Sequence, residues 1–454
     1  MTKGKIFSRR TFLKTAGTLT AGGLLAACAV APPAAQPSAG EASAQPPGPL
    51  TGELTFWMTN SLNIGEAIQD RYNELDTGIT VTWGLGDFDT NTKIMAALAA
   101  GDPPDVHHLG RWQTGDMAVR NAIVPLDDYI NASSTFKWDN VWDRLQEDCT
   151  MFGKRWTVPL STDTRAFFYN KQLMADAGLD PEAPPDTWEQ LLAAVPQLTK
   201  RDEGGRLTQI GFTPSFGNPP VYLMFFSVLW CKGGGIVDND MTKITIASDE
   251  GIAAMAFLKE LMEAQGGYND AKAFTTSLTP GEGLDPFTIQ SVATMMMGGW
   301  VLNTYDEVAP DLDYGIIPGP HFEGSDIRCN YDGGGSWYIF REGNKQDLGW
   351  EFIETVMSDD FLIPLSDEFD LLPGTKSASA EFEKMDPRRP VFVSTANTVK
   401  WIPVFSGTLE TLGAMSTAFD NILIAGDDIE SELQSAQDKM QVILDRHNSF
   451  PPPQ

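Results

Sequence analysis

Histidine and cysteine are scarce, four of each in 454 residues. Cys28, Cys149, Cys231 and Cys329 lie far apart and show no metal-ligand spacing. One disulfide among the last three is open outside the cytoplasm, although buried free thiols are the preferred reading. His107 and His108 are adjacent, but neighbouring side chains on a strand point to opposite faces, so they make a poor shared ligand set. Gly-x-Ser-x-Gly, the phosphate-cradling Gly-x-x-x-x-Gly-Lys and any Cys/His cluster are missing. No metal, no cofactor and no catalytic residue is therefore expected. Positive charge is short as well. Against 61 Asp and Glu stand 32 Lys and Arg, a formal net charge of −29. Nucleic acid needs a basic footprint and is excluded as a partner. An anionic ligand is attracted only where arginines cluster. The acidity itself reads as solubility or adaptation to salt.

Residues 1–28 contain no Asp or Glu. Lys3, Lys5, Arg9 and Arg10 precede an apolar run and then Leu25-Ala26-Ala27-Cys28. That is the layout of an export signal, 1–27, which stands outside the fold. Ser8-Arg9-Arg10-Thr11-Phe12-Leu13-Lys14 resembles the twin-arginine export motif, and Leu25 to Cys28 resembles a lipobox. A transmembrane helix is disfavoured, because Gly17, Gly22 and Gly23 interrupt an apolar run shorter than the roughly 20 residues that span a bilayer. Lipidation of Cys28 would anchor the protein to the outer face of the cell membrane, since each buried CH₂ contributes about 0.8 kcal/mol and two chains hold stably. Ala, Pro, Ser, Gln and Gly dominate residues 28–50, which read as a flexible tether. Removing the five basic residues of the signal (Lys3, Lys5, Arg9, Arg10 and Lys14) takes the charge of the mature chain from −29 to −34.

About 400 residues remain, enough for two lobes of ~100–200 residues each. Leu54, Phe56 and Met58 alternate with Thr55 and Trp57, as do Ile79, Val81 and Trp83, which predicts two strands. Residues 64–75 between them read as helical. Thr187 with Gln190 three residues on predicts a capping box, followed by Trp188, Leu191, Leu192 and Val195 on one buried stripe. Leu348, Phe352, Ile353 and Val356 repeat the pattern. A last helix starts at Asp427 or Asp428 and buries Ile429, Leu433, Ala436, Met440 and Ile443. Strands alternating with helices predict α/β lobes with largely parallel sheets, whose ligands sit on loops at the carboxyl ends of strands.

Several segments then carry a family resemblance. Gly101-Asp102-Pro103-Pro104-Asp105-Val106 follows an Ala-rich helix. Ile123 to Asp127, Gly153-Lys154-Arg155-Trp156-Thr157-Val158-Pro159 and Phe168-Tyr169-Asn170-Lys171-Gln172-Leu173 come next in order. Pro184-Pro185-Asp186-Thr187-Trp188-Glu189-Gln190-Leu191 and Ala293-Thr294-Met295 to Gly299-Trp300 complete the set. In this order and spacing they resemble the bacterial extracellular solute-binding proteins that include the maltose-binding protein, from about residue 53 to 445. The usual Gly before the second element and the Gly-Lys before the last are replaced, by Asn121-Ala122 and Ile289-Gln290. The resemblance implies an α/β, two-lobed periplasmic-binding-protein fold of type II, with a ligand cleft between lobes joined by a hinge. Residues 51–162 plus 314–372 would form lobe 1, and 165–312 plus 373–450 lobe 2. It implies a monomer that captures a small solute, a mono- or oligosaccharide, and hands it to the membrane subunits of an ABC importer by cleft closure. A receptor for a glycerol-phosphate-type ester and an extracytoplasmic glycoside-acting hydrolase stand as alternatives.

Sugar rings stack their C–H faces on aromatics and need polar partners for their hydroxyls, which suits a concave site with apolar walls. By family analogy and loop position, the expected ligand-binding residues are Asn60 beside Thr59, then His108, Arg111 and Trp112, and Asp163 in the first hinge crossing, Pro159 to Arg165. Trp230, Trp300, Asn303, Gly335, Trp337, Arg388 and Trp401 complete them. Trp138, Trp142, Trp156, Trp188 and Trp350 are assigned to packing, Met295 to Met297 to a buried strand, and Gly233 to Gly235 to a hairpin.

Overall fold

The computed structural model describes residues 50–58, 63–87, 91–213, 222–281 and 283–453. Cys28, Thr59 and Asn60 lie outside the described residues. Among them, strands are numbered β1 to β12 along the chain. One five-stranded sheet contains β1 (Gly52–Met58), β2 (Ile79–Leu85), β3 (Val106–Gly110), β6 (Val158–Pro159) and β12 (Gly335–Ile339), in the order β2-β1-β3-β12-β6. A second contains β7 (Arg165–Asn170), β8 (Lys200–Arg201), β9 (Leu207–Thr213), β10 (Val292–Gly298) and β11 (Tyr314–Ile317), in the order β11-β7-β10-β9-β8. A small hairpin, β4 (Thr150–Met151) and β5 (Lys154–Arg155), stands apart.

The alternation read in β1 is what buries Leu54, Phe56 and Met58. The capping box forms as expected: Thr187 Oγ1 accepts from Gln190 N–H at 3.1 Å, and the Gln190 side chain accepts from Thr187 N–H. Such a cap stabilises a helix by about 1 kcal/mol. Asp428 caps the last helix, Ile429–Asn448. Its buried stripe is Leu433, Ala436, Met440 and Leu444; Leu444 rather than Ile443 continues the 3.6-residue period inward.

The sheets are mixed rather than largely parallel. β1 runs parallel to β2 and β3, and β10 parallel to β9. β12 is antiparallel to β3 and β6, and β7 antiparallel to β10 and β11. The reason is the route of the chain. β1, β3, β9 and β10 run toward the edge where the two sheets face each other. β7 and β12 begin at that edge, because each starts where the chain has just crossed from the other sheet, so they run outward. The first crossing is 160–164, between β6 and β7, and the second is 318–334, between β11 and β12. The return to the first sheet therefore comes later than the expected residue 314: Tyr314–Ile317 pairs with Phe167 to Asn170 of β7. A third segment, Asp370 to Gly374, runs beside the first crossing, with Thr162 N–H donating to Leu372 O at 2.9 Å and Gly374 N–H to Leu160 O at 2.9 Å.

β7 is buried on both faces, which its unbroken run Ala166-Phe167-Phe168-Tyr169 reflects. Phe167 and Tyr169 face a core with Trp188, Phe212 and the C-terminal helices, while Ala166 and Phe168 face Met295, Tyr305 and Phe392. The first sheet packs Phe56 and Trp337 on Tyr72 and Phe352.

Candidate functional site

A cavity of about 850 Å³ opens between the sheets. Its wall is assembled from strand ends, as α/β topology dictates. Met58 ends β1, His108 comes from β3, and Trp300 follows β10. Ser161 to Arg165 and Tyr331 to Gly335 bring the two crossings to the same place. The helix Thr408–Asp420 closes one side with Leu409, Leu412, Gly413 and Ser416.

Two aromatic groupings and two arginine–carboxylate pairs make up the chemistry. Trp112 and Trp401 lie against each other with centroids 4.9 Å apart. Arg165 sits between two rings, its Cζ 4.0 Å from the Tyr331 centroid and 5.2 Å from that of Trp300. It donates to Asp163 Oδ2 at 3.0 Å and to the Tyr331 carbonyl at 3.2 Å. Burial raises the Asp163 carboxyl above its ordinary range, and the Arg165 charge opposes that rise. Asp163 Oδ1 and Trp401 Nε1 are buried and have no hydrogen-bond partner among the described residues. Arg389, nearly buried, donates to Asp370 at 2.6 Å and to Asp367 at 2.7 Å.

The crossings can pass so close because of Gly333 and Gly334. A Cβ on Gly333 would come within 2.3 Å of the Asp163 carboxylate, and Gly334 has φ +89° with Ser161 O 2.9 Å from where its Cβ would be. Arg111 fastens the two crossings to each other. It is 1 % exposed and donates to the carbonyls of Ser161 (3.1 Å) and Gly333, and to Asp332. Its Nε reaches Asp148 at 3.4 Å, and Arg144 also pairs with Asp148 at 2.7 Å. Asp332 accepts further from Thr162 Oγ1 and Asp163 N–H, each at 2.9 Å.

The structure thus brings His108, Trp112, Asp163, Trp300, Gly335 and Trp401 to the cavity wall. Five other expected residues stand elsewhere. Arg111 spends its donors on the hinge network. Trp230 lies in the helix Leu223–Cys231, apolar all round and buried on every side, where it packs on Phe226. Trp337 is fully buried in β12 against Phe56 and Phe352. Asn303 binds the end of the helix Asp359–Phe369, its N–H donating to Asp370 at 2.8 Å and its amide to the Asp367 carbonyl at 3.1 Å. Arg388 points to Asp306, Asp386 and Tyr314, and its neighbour Arg389 takes the cavity position. Sequence reading missed Tyr331, Arg389 and the helix Thr408–Asp420. Tyr331 had a signal, its place just before the Gly-rich segment; the helix reads only as an amphipathic stripe.

Burial holds His107 and His108 neutral, each lowered to about 3. The unfolded chain takes up these protons below about pH 6.5 and the folded chain does not until about pH 3, so stability falls as pH drops through that window. Each histidine contributes on the order of 1 kcal/mol per pH unit there. Urea unfolding at pH 7, 6 and 5 should show His107→Phe with a shallower acid loss than the unaltered chain. Equal slopes would remove His107 from the account.

The bacterial extracellular solute-binding protein family matches residues 59–361, two thirds of the chain. A diacetylchitobiose binding protein of Streptomyces coelicolor is 24% identical over 280 residues, 59% of this chain and 60% of that one. A solute-binding protein of Thermotoga lettingae bound with α-D-tagatose superposes with a TM-score of 0.74 at 21% identity, covering 87% of this chain and 100% of that chain. UgpB of Mycobacterium tuberculosis, in complex with glycerophosphocholine, gives 0.71 at 22% identity, covering 87% and 99%. These likenesses carry the two-lobed fold with its cleft between hinged sheets. The match over two thirds of its length shows that this chain belongs to the bacterial extracellular solute-binding protein family.

Proposed function

We propose that the protein is an exported lipoprotein receptor that captures a mono- or oligosaccharide in the cleft and delivers it to an ABC importer. The observation that carries the ligand class is the wall itself: three tryptophans, Trp300 and the Trp112–Trp401 pair, beside a carboxylate, Asp163. Aromatic faces suit the C–H sides of sugar rings. A carboxylate on the wall suits hydroxyl donors and repels an anion. The cavity volume lies within the ~300–1,000 Å³ common to small-molecule sites. Closure would follow from a ligand touching both sheets at once, since a ligand shifts an equilibrium only through differential affinity. Relatives that bind diacetylchitobiose and tagatose support the same class.

The glycerol-phosphate reading is weaker. Both cavity arginines are already neutralised, Arg165 by Asp163 and Arg389 by Asp370 and Asp367. Arg388, on which that reading leaned, lies away from the cavity wall. Export by the twin-arginine route and anchoring through Cys28 rest on the leader motifs; among the described residues no helix is long and apolar enough to cross a membrane.

A thermal-shift screen of the membrane-extracted protein against mono- and oligosaccharides, polyols and glycerol phosphates tests the proposal. A sugar at 100 times its dissociation constant should stabilise the fold by about 2.7 kcal/mol and be recovered uncleaved. Stabilisation by phosphate esters alone would overturn the carbohydrate reading, and turnover of an oligosaccharide would favour a hydrolase.

A further inference from the structure

Behind the cavity wall lie two thiols that ligand capture does not use. Cys231 ends the buried helix Leu223–Cys231, and Cys329 stands in the second crossing, two residues before Tyr331. Cys329 N–H donates to Cys231 Sγ at 3.2 Å, and Cys231 Sγ lies 3.3 Å from the Cys329 carbonyl oxygen. Cys149 is remote from both, buried against Ser336 in the first sheet. The joint is already fixed on its other side, with Tyr331 N–H donating to Ser227 Oγ at 3.0 Å and Ser227 to Asn330 Oδ1 at 3.1 Å. A covalent link here would therefore join elements that already hold each other.

We propose that Cys231 and Cys329 form a disulfide in the exported protein, tying the second crossing to the helix Leu223–Cys231 across 98 positions of chain. The chemistry assigns them different roles. Cys329 is partly exposed, so it is the sulfur an external oxidant reaches and it supplies the attacking thiolate; its interaction with Cys231 holds it below the ordinary thiol range. Cys231 is buried and raised, by its interaction with Cys329 and by burial. The oxidant is an external disulfide, small or protein-borne. Cys329 S⁻ attacks one of its sulfurs and expels the other as a thiolate. Cys231 then loses its proton, its sulfur attacks the Cys329 sulfur, and the second external thiolate leaves. Two protons and two electrons pass from the protein thiols to the oxidant, which becomes a dithiol. The consequence is a stiffer hinge: motion of the second crossing is confined to the stretch after Cys329, where Asp332, Gly333 and Gly334 lie.

The full chain recovered from the cell exterior is denatured in an alkylating reagent without reductant, digested and mapped. The expected result is an alkylated Cys149 peptide, with Cys231 and Cys329 in one linked peptide ~2 Da lighter than the two thiol peptides together and separable by reduction. Cys149→Ser should leave that link intact, and Cys231→Ser should leave Cys329 alkylated. Alkylation of both Cys231 and Cys329 in the unaltered chain, persisting after incubation with oxidised glutathione, overturns the proposal. So does a link involving Cys149. The mapping of the unaltered chain decides the matter even if a variant fails to fold.

Discussion

Asp163→Asn and Trp300→Ala should each weaken sugar binding by at least tenfold while leaving a folded protein. Asp163 offers a charged acceptor, and hydrogen bonds to charged groups contribute about 1.5–3 kcal/mol. Asparagine keeps the size and one carbonyl for Arg165 but loses the charge, so the expected loss is about 10- to 100-fold. Trp300 is partly exposed on the wall, with the Arg165 guanidinium 5.2 Å from its ring centroid. Truncating an anchoring tryptophan costs about 2 kcal/mol or more, roughly 30-fold in affinity. Titration calorimetry on each variant, with a urea midpoint as control, measures both. Unchanged affinity in two well-folded variants would place the ligand elsewhere in the cavity.

The second large effect concerns stability. Arg111→Met should destabilise the fold by about 3–5 kcal/mol, the usual result of stripping one partner from a buried charge cluster. The substitution leaves Asp332 and Asp148 buried without this guanidinium, Asp148 still paired with Arg144. It also frees the carbonyls of Ser161 and Gly333, one on each crossing. Adding Asp332→Asn should recover part of the loss, because contacting groups couple non-additively. If the urea midpoint of Arg111→Met hardly moves, the network does not hold the hinge. A loss of ligand affinity without a loss of stability would return Arg111 to the binding residues.

How far the sequence could be read depended on whether a signal was local. β1, the capping box at Thr187 and the helix capped by Asp428 follow from spacing that a few neighbouring residues carry, and they stand where expected. The antiparallel entry of β7 and β12 was not legible, because it depends on where the chain crosses between sheets. Among candidate residues, the choice between Arg388 and Arg389 illustrates the limit. They share the turn before the helix Pro390–Thr395, and a step of one residue along it separates an arginine held by Asp306 and Asp386 from one on the cavity wall. Trp337 shows another: lying in a Gly-rich segment beside the cleft does not reveal which face of β12 its ring takes. Asp163 was easier, since the crossing is short and its flanking motifs are clear.

The helix Thr408–Asp420 gives the cleft one wall that belongs to neither sheet. At Gly413 on that wall, nothing lies within 4 Å of where a Cβ would stand. A side chain grown there would shorten the space available to a ligand without disturbing either crossing or the Arg111 cluster. The room inside the cleft and the packing of the two crossings are thus set by different stretches of chain. Related receptors could diverge in the length of sugar they accept by altering this one helix, while the moving parts stay as they are.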